Sequence, residues 1–353
     1  MSTVAARYAV NPYLHVEEQR VYNPLTDRAL TAGEAGYSLF RDFVEHGVSA
    51  EMLERDGWIV QAGDDLSRRY RLRIVSLETT TACNQQCYFC PVSVAPRDDH
   101  SMPEELFDGI VNQLTRFRET LEGVFLQSYN EPTIDRRFVD FCGRLFDAGL
   151  PVAVLSNGSG LTPRKVDELL SRGRLRYLCI NLSTLDRQRY ESDRGEDHLP
   201  VVLRNLDYLK DKPVAEQMRI VVLGEGDEKH RGDFEAIRSR FSGSRFEVEM
   251  HHAQDRAGWL EVGMKLLEKK QNLAGCELIG SRPLQHLHIT PRGTCILCCQ
   301  DYDERYVVGD LTKSSVVEVL EGDEMAKMRR WAYGVEEAPD DFICRTCVWA
   351  RQR

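Results

Sequence analysis

The sequence predicts an α/β protein organised on one parallel, barrel-like sheet, with a small module before it and a cysteine-rich one after it. Three observations carry this. Between residues 70 and 255, six short apolar runs alternate with stretches of helical periodicity, the order a parallel sheet requires. After residue 256 that rhythm stops, cysteines become dense, and Gly293, Gly309 and Gly322 punctuate short strands. With 353 residues, 42% hydrophobic and 29% charged, the chain can hold one large domain and one or two small modules.

Residues 1–69 form the first module. Val21 to Leu30 has the pattern of a short β-hairpin, with turn residues at Asn23-Pro24 and Thr26-Asp27. Residues 31–46 read as a helix carrying Tyr37, Phe40, Phe43 and Val44 on one face, with Thr31 as N-cap and Gly47 as its end. A short helix at 50–55 leads through Gly57 to a strand at 58–60. In the central domain, 70–255, strands are predicted at 73–78, 123–127, 152–155, 177–181, 218–222 and 246–250. Helices are predicted at 104–120, 137–148, 163–172, 199–210 and 232–241. In such a barrel, catalytic groups gather at the C-terminal ends of the strands. Residues 256–353 are expected to form a separate cluster-binding module, and no internal repeat is visible.

A formal net charge of −10 argues against nucleic acid or an anionic membrane as a partner. No 18-residue apolar run and no secretory-signal profile occur, so a cytoplasmic location is expected. Eleven cysteines are mostly grouped, at Cys83 to Cys90, Cys295 to Cys299, and Cys344 with Cys347. In a reducing compartment such grouping points to metal ligation rather than disulfides. Cys142 and Cys179 lie in apolar segments and read as buried free thiols.

Cys83-Asn84-Gln85-Gln86-Cys87-Tyr88-Phe89-Cys90 follows the first barrel strand. Three thiols spaced four and three apart on one loop can take three corners of a four-iron cubane, leaving one iron open to an exogenous ligand. A closed zinc site would want four ligands. The pattern resembles the signature of the radical S-adenosylmethionine (radical SAM) superfamily. That resemblance implies a partial (β/α)6 barrel with a [4Fe–4S] cluster on Cys83, Cys87 and Cys90. It implies SAM chelated to the open iron and an external one-electron reductant of the flavodoxin or ferredoxin type. Cleavage of SAM to a 5′-deoxyadenosyl radical, which abstracts a substrate hydrogen atom, is the chemistry that follows.

The resemblance also assigns SAM contacts. Phe89 occupies the position of an aromatic ring that lies beside the adenine. Ser128 and Glu131, in Gln127-Ser128-Tyr129-Asn130-Glu131-Pro132, fall in a segment that accepts the hydrogen bonds of the methionyl ammonium, with Tyr129 and Asn130 where glycines are usual. Asn157, in Ser156-Asn157-Gly158, is similar to a turn near SAM, although Asn-Gly is also simply a turn. Ser183 and Arg194 correspond to a serine that meets the ribose or carboxylate and an arginine that meets the carboxylate. Taken alone, Arg194 reads equally well as a solvated charge.

Cys276, Gly293-x4-Cys298 and Cys344-x2-Cys347 resemble the SPASM/twitch extension of the same superfamily. This implies an auxiliary [4Fe–4S] cluster on Cys276, Cys298, Cys344 and Cys347. With four thiolates it has no open iron and would serve electron transfer or structure. Cys295 is an alternative to Cys298, and zinc an alternative occupant. Cys295 or Cys299 could instead donate a hydrogen atom. By analogy with a twitch-bearing dehydrogenase, Arg256 is expected to bind substrate, with His251, His252 and Asp255 nearby as candidate bases. Residues 1–69 loosely resemble the peptide-recognition domain fused to many peptide-modifying members. The function implied is oxidation of a small molecule (sugar or cyclitol) or a ribosomal peptide in natural-product biosynthesis, the auxiliary cluster accepting the substrate's electron. A redox-neutral epimerase and a zinc-stabilised binding protein are the alternatives.

Overall fold

The computed structural model describes residues 7–353. At the N-terminus, β1 (Tyr8–Val10), β2 (His15–Val16), β3 (Arg20–Asn23) and β4 (Arg28–Thr31) precede α1 (Ala35–His46), α2 (Glu51–Arg55) and β5 (Ile59–Gln61). The strands β2, β3 and β4 form an antiparallel meander, and β1 pairs with β5. The expected hairpin is therefore present, with Val21 opposite Leu30. Helix α1 starts at Ala35, because Thr31, expected as its N-cap, is still paired with Arg20 in the sheet. Its end is as read from the sequence: Gly47 turns left-handed at φ 70° and donates to the Phe43 carbonyl. Val21, Leu30, Phe40, Phe43, Leu53 and Trp58 make a core belonging to this module.

Next come β6 (Ile74–Leu77), α3 (Glu104–Leu114), β7 (Gly123–Phe125), α4 (Phe138–Asp147), β8 (Val152–Ser156), α5 (Pro163–Arg172), β9 (Leu175–Asn181), α6 (Arg187–Arg194), α7 (Leu199–Leu209), β10 (Ala215–Gly224), α8 (Glu228–Arg240) and β11 (Phe246–His252). Strands β6 to β11 lie side by side in chain order, each pair parallel. Sheet residues such as Val75, Val124, Val154, Ile180 and Ile220 are fully buried, as expected where helices cover a parallel sheet. The helices supply matching stripes: Phe107, Ile110, Val111 and Leu114 on α3, and Phe138, Phe141, Cys142 and Leu145 on α4. Cys142 and Cys179 are buried free thiols. Helix α6 was not anticipated, although its ends carry ordinary signals. Asp186 caps Arg189 N–H, and Gly195 closes it at φ 73°.

The remaining chain forms β12 (Leu273–Cys276), α9 (Arg282–Gln285), β13 (His286–Ile289), β14 (Thr294–Ile296), β15 (Val307–Asp310), α10 (Val316–Glu321), α11 (Asp323–Ala332) and β16 (Ala350–Gln352). It is less separate than the change in sequence character implies. Strand β13 pairs parallel with β6, and β14 and β15 follow antiparallel, so one nine-stranded sheet runs β11-β10-β9-β8-β7-β6-β13-β14-β15. Leu287, Ile289 and Cys295 are buried in the same core as Val75 and Leu77. Among the described residues, no helix is long and apolar enough to cross a membrane.

The N-terminal module is fastened to both later parts. Tyr13 packs on Tyr333 with ring centroids 4.9 Å apart, and His15 Nε2 lies 3.0 Å from the Tyr333 hydroxyl. Gln285 donates to the Tyr22 hydroxyl at 2.9 Å and to the Pro24 carbonyl at 2.7 Å. Burial, with Arg351 and Arg20 nearby, pushes the His15 imidazole down to about 3. In the unfolded chain it titrates near the ordinary value of about 6.5. Below about pH 6.5 the unfolded state therefore takes a proton that the folded state refuses, and stability is lost as pH falls toward 3. His15→Gln, which keeps a partner for Tyr333, should show a smaller drop in melting temperature between pH 7.5 and 5 than the wild type; equal drops would refute this.

Candidate active site

The Cys83–Cys90 loop leaves the C-terminal end of β6 and is held from several sides. Glu131 N–H donates to the Ala82 carbonyl at 3.0 Å, Gln86 N–H to the Arg194 carbonyl at 2.8 Å, and Tyr88 N–H to the Asp193 carbonyl at 3.0 Å. Side chains add Gln85 to the Tyr190 hydroxyl and Asn157 to Asn84 Oδ1. Gly195 is needed here for two reasons, since its φ is left-handed and a Cβ would stand 3.3 Å from Gln86 Cβ.

The three thiols are driven neutral by burial and drawn back by donors. Burial pushes Cys83 up to about 12 and raises Cys87 and Cys90. Opposing it, the N–H of Gln85 points at Cys83 and that of Val92 at Cys90. The Arg194 guanidinium lies 3.8 Å from Cys87 Sγ. Donors converging on sulfur favour thiolates, the form that ligates iron. On that chemistry the loop fits a cluster.

Arg194 is not a solvated charge. It is 2% exposed, and its fork donates to Asn181 Oδ1 at 2.7 Å, Ser183 Oγ at 3.1 Å and Gln85 Oε1 at 3.3 Å. It also lies 5.2 Å from the Phe89 ring centroid. Phe89, Arg194 and Ser183 are thus brought together beside Cys87. Glu131 is buried, and burial raises its carboxyl against the bonds it accepts. Oε1 accepts from Thr133 N–H, Thr133 Oγ and Ser156 Oγ, and Oε2 from Asn157 N–H at 2.6 Å. A carboxylate has about four acceptor positions. Glu131 therefore locks the turns after β7 and β8 together, its acceptor positions already met by four donors. Ser128 lies elsewhere, lining a small cavity with Glu78, Arg97, His288 and Thr290.

A second cysteine set, Cys276, Cys298, Cys344 and Cys347, lines one small cavity together with Arg282. Burial raises all four thiols, Cys347 to about 12. Backbone N–H groups again oppose it, from Leu278 and Arg282 toward Cys276, Gln300 toward Cys298, and Trp349 and Ala350 toward Cys347. Cys295 does not reach this cavity. It is fully buried in β14, with Sγ toward the Gly293 carbonyl. Among the described residues, no three His, Cys, Asp or Glu groups converge tightly enough for a single metal ion. Tetrahedral zinc would hold every sulfur at about 2.3 Å, whereas a cubane spreads its thiolates over separate corners.

Between the two sets stands Arg256. It and Ala257 both adopt left-handed backbone, φ 56° and 59°, where non-glycine residues are rare outside ligand clamps and turns. The turn is closed by Asp255, which accepts Ala257 N–H at 3.1 Å. The guanidinium lies 5.9 Å from the Tyr129 ring centroid. Burial opposes its charge, but the Tyr129 hydroxyl and the thiols of Cys299, Cys90 and Cys347 outweigh that and raise it. Arg256 therefore lies within electrostatic reach of a cysteine of each set. Half-buried Cys299 is beside it, its carbonyl accepting from the Tyr129 hydroxyl. His251 is exposed and paired with Glu249, and His252 is also exposed, so neither candidate base turns inward.

Sequence reasoning missed the frame around Arg256. Tyr129 meets Tyr302 edge-on at 4.8 Å, and Tyr302 meets Trp259 at 5.3 Å. Arg97, held bidentately by buried Glu78 at 2.6 and 2.8 Å, lies over both tyrosines. Glu78, the last residue of the predicted first strand, was the available signal.

The radical SAM superfamily model matches residues 77–237, and that of the iron–sulfur cluster-binding domain SPASM matches residues 276–348. An uncharacterised protein of Methanocaldococcus jannaschii is 30% identical over 135 residues, 37% of this chain and 41% of that protein, so the match spans less than half of the relative. Streptococcus suis SuiB bound to precursor peptide SuiA has the same fold, with TM-score 0.57 at 11% identity over 96% of this chain and 93% of SuiB. So does anSMEcpe with bound AdoMet and Cp18Cys peptide, at TM-score 0.52 and 12% identity over 79% of this chain and 86% of that one. With the Cys83–Cys90 loop inside the first match and Cys276, Cys298, Cys344 and Cys347 inside the second, the chain carries a radical SAM domain followed by a C-terminal SPASM domain, and its cofactors are SAM and [4Fe–4S] clusters.

Proposed function

We propose that this protein is a radical SAM oxidoreductase that removes two electrons from a peptide substrate held at Arg256. The observation that carries the reading is the place of Arg256, whose guanidinium faces the Tyr129 ring and lies within electrostatic reach of Cys90 of one cysteine set and Cys347 of the other. When bound, SAM and the clusters supply one-electron chemistry: homolytic removal of a substrate hydrogen atom, and uptake of the electron left behind. The chain's own residues do the positioning. Cys83, Cys87 and Cys90 hold three corners of one cluster. Phe89, Arg194, Ser183, Asn157 and Glu131 are the SAM contacts. Cys276, Cys298, Cys344 and Cys347 hold the single auxiliary cluster, the twitch arrangement. Residues 1–69, 70–255 and 256–353 are the three functional parts, the first a candidate peptide-recognition module. A peptide is supported by the likeness, over nearly the whole chain, to SuiB bound to its precursor peptide.

Cys299 favours a second reading. It is a half-buried thiol outside both sets, beside Arg256, and could return a hydrogen atom, making an epimerase.

Anaerobic reconstitution should give about eight irons per chain, about four for each cubane. Cys83→Ala and Cys298→Ala should each lose about half the iron, while Cys295→Ala keeps all of it. Only Cys83→Ala should abolish 5′-deoxyadenosine release from SAM and dithionite; full iron in Cys298→Ala would refute the auxiliary ligand set. Arg256→Lys should leave that substrate-free release intact and lower product formation by about 100-fold, as expected for a misplaced substrate. Deuterium taken from heavy water into product, lost in Cys299→Ala, would replace oxidation with epimerisation.

A further inference from the structure

Arg282 opens α9 and lines the cavity of Cys276, Cys298, Cys344 and Cys347. Its Nη1 lies 2.9 Å from His286 Nδ1 and 3.0 Å from His288 Nε2. Those histidines alternate along β13 and so project from one face. Both are buried, at 3% and 2% exposure. A guanidinium only donates, so each facing imidazole nitrogen carries a lone pair and both rings are neutral. Burial and the Arg282 charge push both well below the ordinary value, in agreement. The outer N–H groups, His286 Nε2 and His288 Nδ1, are buried without partners, as is Arg282 Nε. No carboxylate is paired with Arg282 among the described residues.

Arg282 is half-buried with its Nε enclosed, and a partly desolvated cation without a carboxylate partner is costly unless an anion meets it. Among the described residues, the anion available on its cavity side is what the four cysteines would hold. We propose that Arg282 is a positioning residue that raises the reduction potential of the auxiliary cluster, with His286 and His288 as a neutral cradle that fixes its guanidinium without cancelling its charge. The proposal rests on the reading of those four cysteines as cluster ligands. A four-thiolate cubane is an anion that gains one further negative charge on reduction, so a fixed neighbouring cation favours the reduced form. A carboxylate cradle would hold the guanidinium as firmly and remove that effect.

The test is an EPR-monitored redox titration of the reconstituted full chain. Arg282→Gln should lower the midpoint of the auxiliary cluster and leave the SAM-binding cluster unchanged. Arg282→Lys, which keeps the charge, should stay nearer the wild-type value. His288→Glu keeps the arginine but neutralises it in place, so it should also lower the midpoint, and it reads the effect even if Arg282→Gln fails to hold its cluster. Wild-type midpoints in both Arg282→Gln and His288→Glu would overturn the proposal, as would a shift in Arg282→Lys equal to that in Arg282→Gln. Iron content separates the two failures. Undiminished iron in Cys298→Ala sinks the ligand assignment, whereas halved iron there with an unmoved potential sinks only the role of Arg282.

Discussion

The parallel pairing of β13 with β6 is the contact on which the arrangement depends. It sets His286–Ile289 in register with Ile74–Leu77, and flanking backbone bonds lengthen it, from Arg71 to Leu284, Arg73 to Gln285 and Glu78 to Ile289. The strand that launches the first cysteine loop is thereby the neighbour of the strand that leads into Cys295–Cys299. Arg256 then comes within electrostatic reach of Cys90 and Cys347 together. The N-terminal module reinforces the same junction, since Tyr22, Pro24 and Asp27 contact Gln285 and Arg73.

Each set of thiols also sits in an electrostatic contradiction that the fold settles locally. Burial favours neutral sulfur, while iron needs thiolate. Backbone N–H groups, most of them two residues beyond the cysteines, with Arg194 on one side and Arg282 on the other, oppose burial in part and would favour thiolate once iron binds. Arg194 and Arg282 differ in their company. Arg194 is satisfied by amide and hydroxyl oxygens, whereas Arg282 is held by two imidazoles.

Much of this was legible in the chain itself, for physical reasons. Apolar runs separated by helical stripes announce a parallel sheet because both its faces must be covered, and all six strands lie where periodicity put them. Cysteine spacing announces ligation because a loop of that length can present three sulfurs to one object. What was hidden is non-local. Nothing near His286-Leu287-His288-Ile289 says that its partner is more than 200 residues earlier, so the C-terminal segment read as a separate module. Arg194 looked solvated because Asp193, Gly195 and Glu196 surround it in sequence, yet the end of α6 turns it inward. Thr31 looked like a cap because a hydroxyl before a helical stripe usually is one, and a strand claimed it first.

A sheet of nine strands that ends at β11 on one side and β15 on the other has a seam. Strands β11 and β15 are not paired with each other, and Arg256 follows β11 by four residues. A closed barrel admits only what fits through its end. On the peptide reading proposed above, an unclosed sheet would let one stretch of a longer chain approach from the side, with both flanks left in solvent.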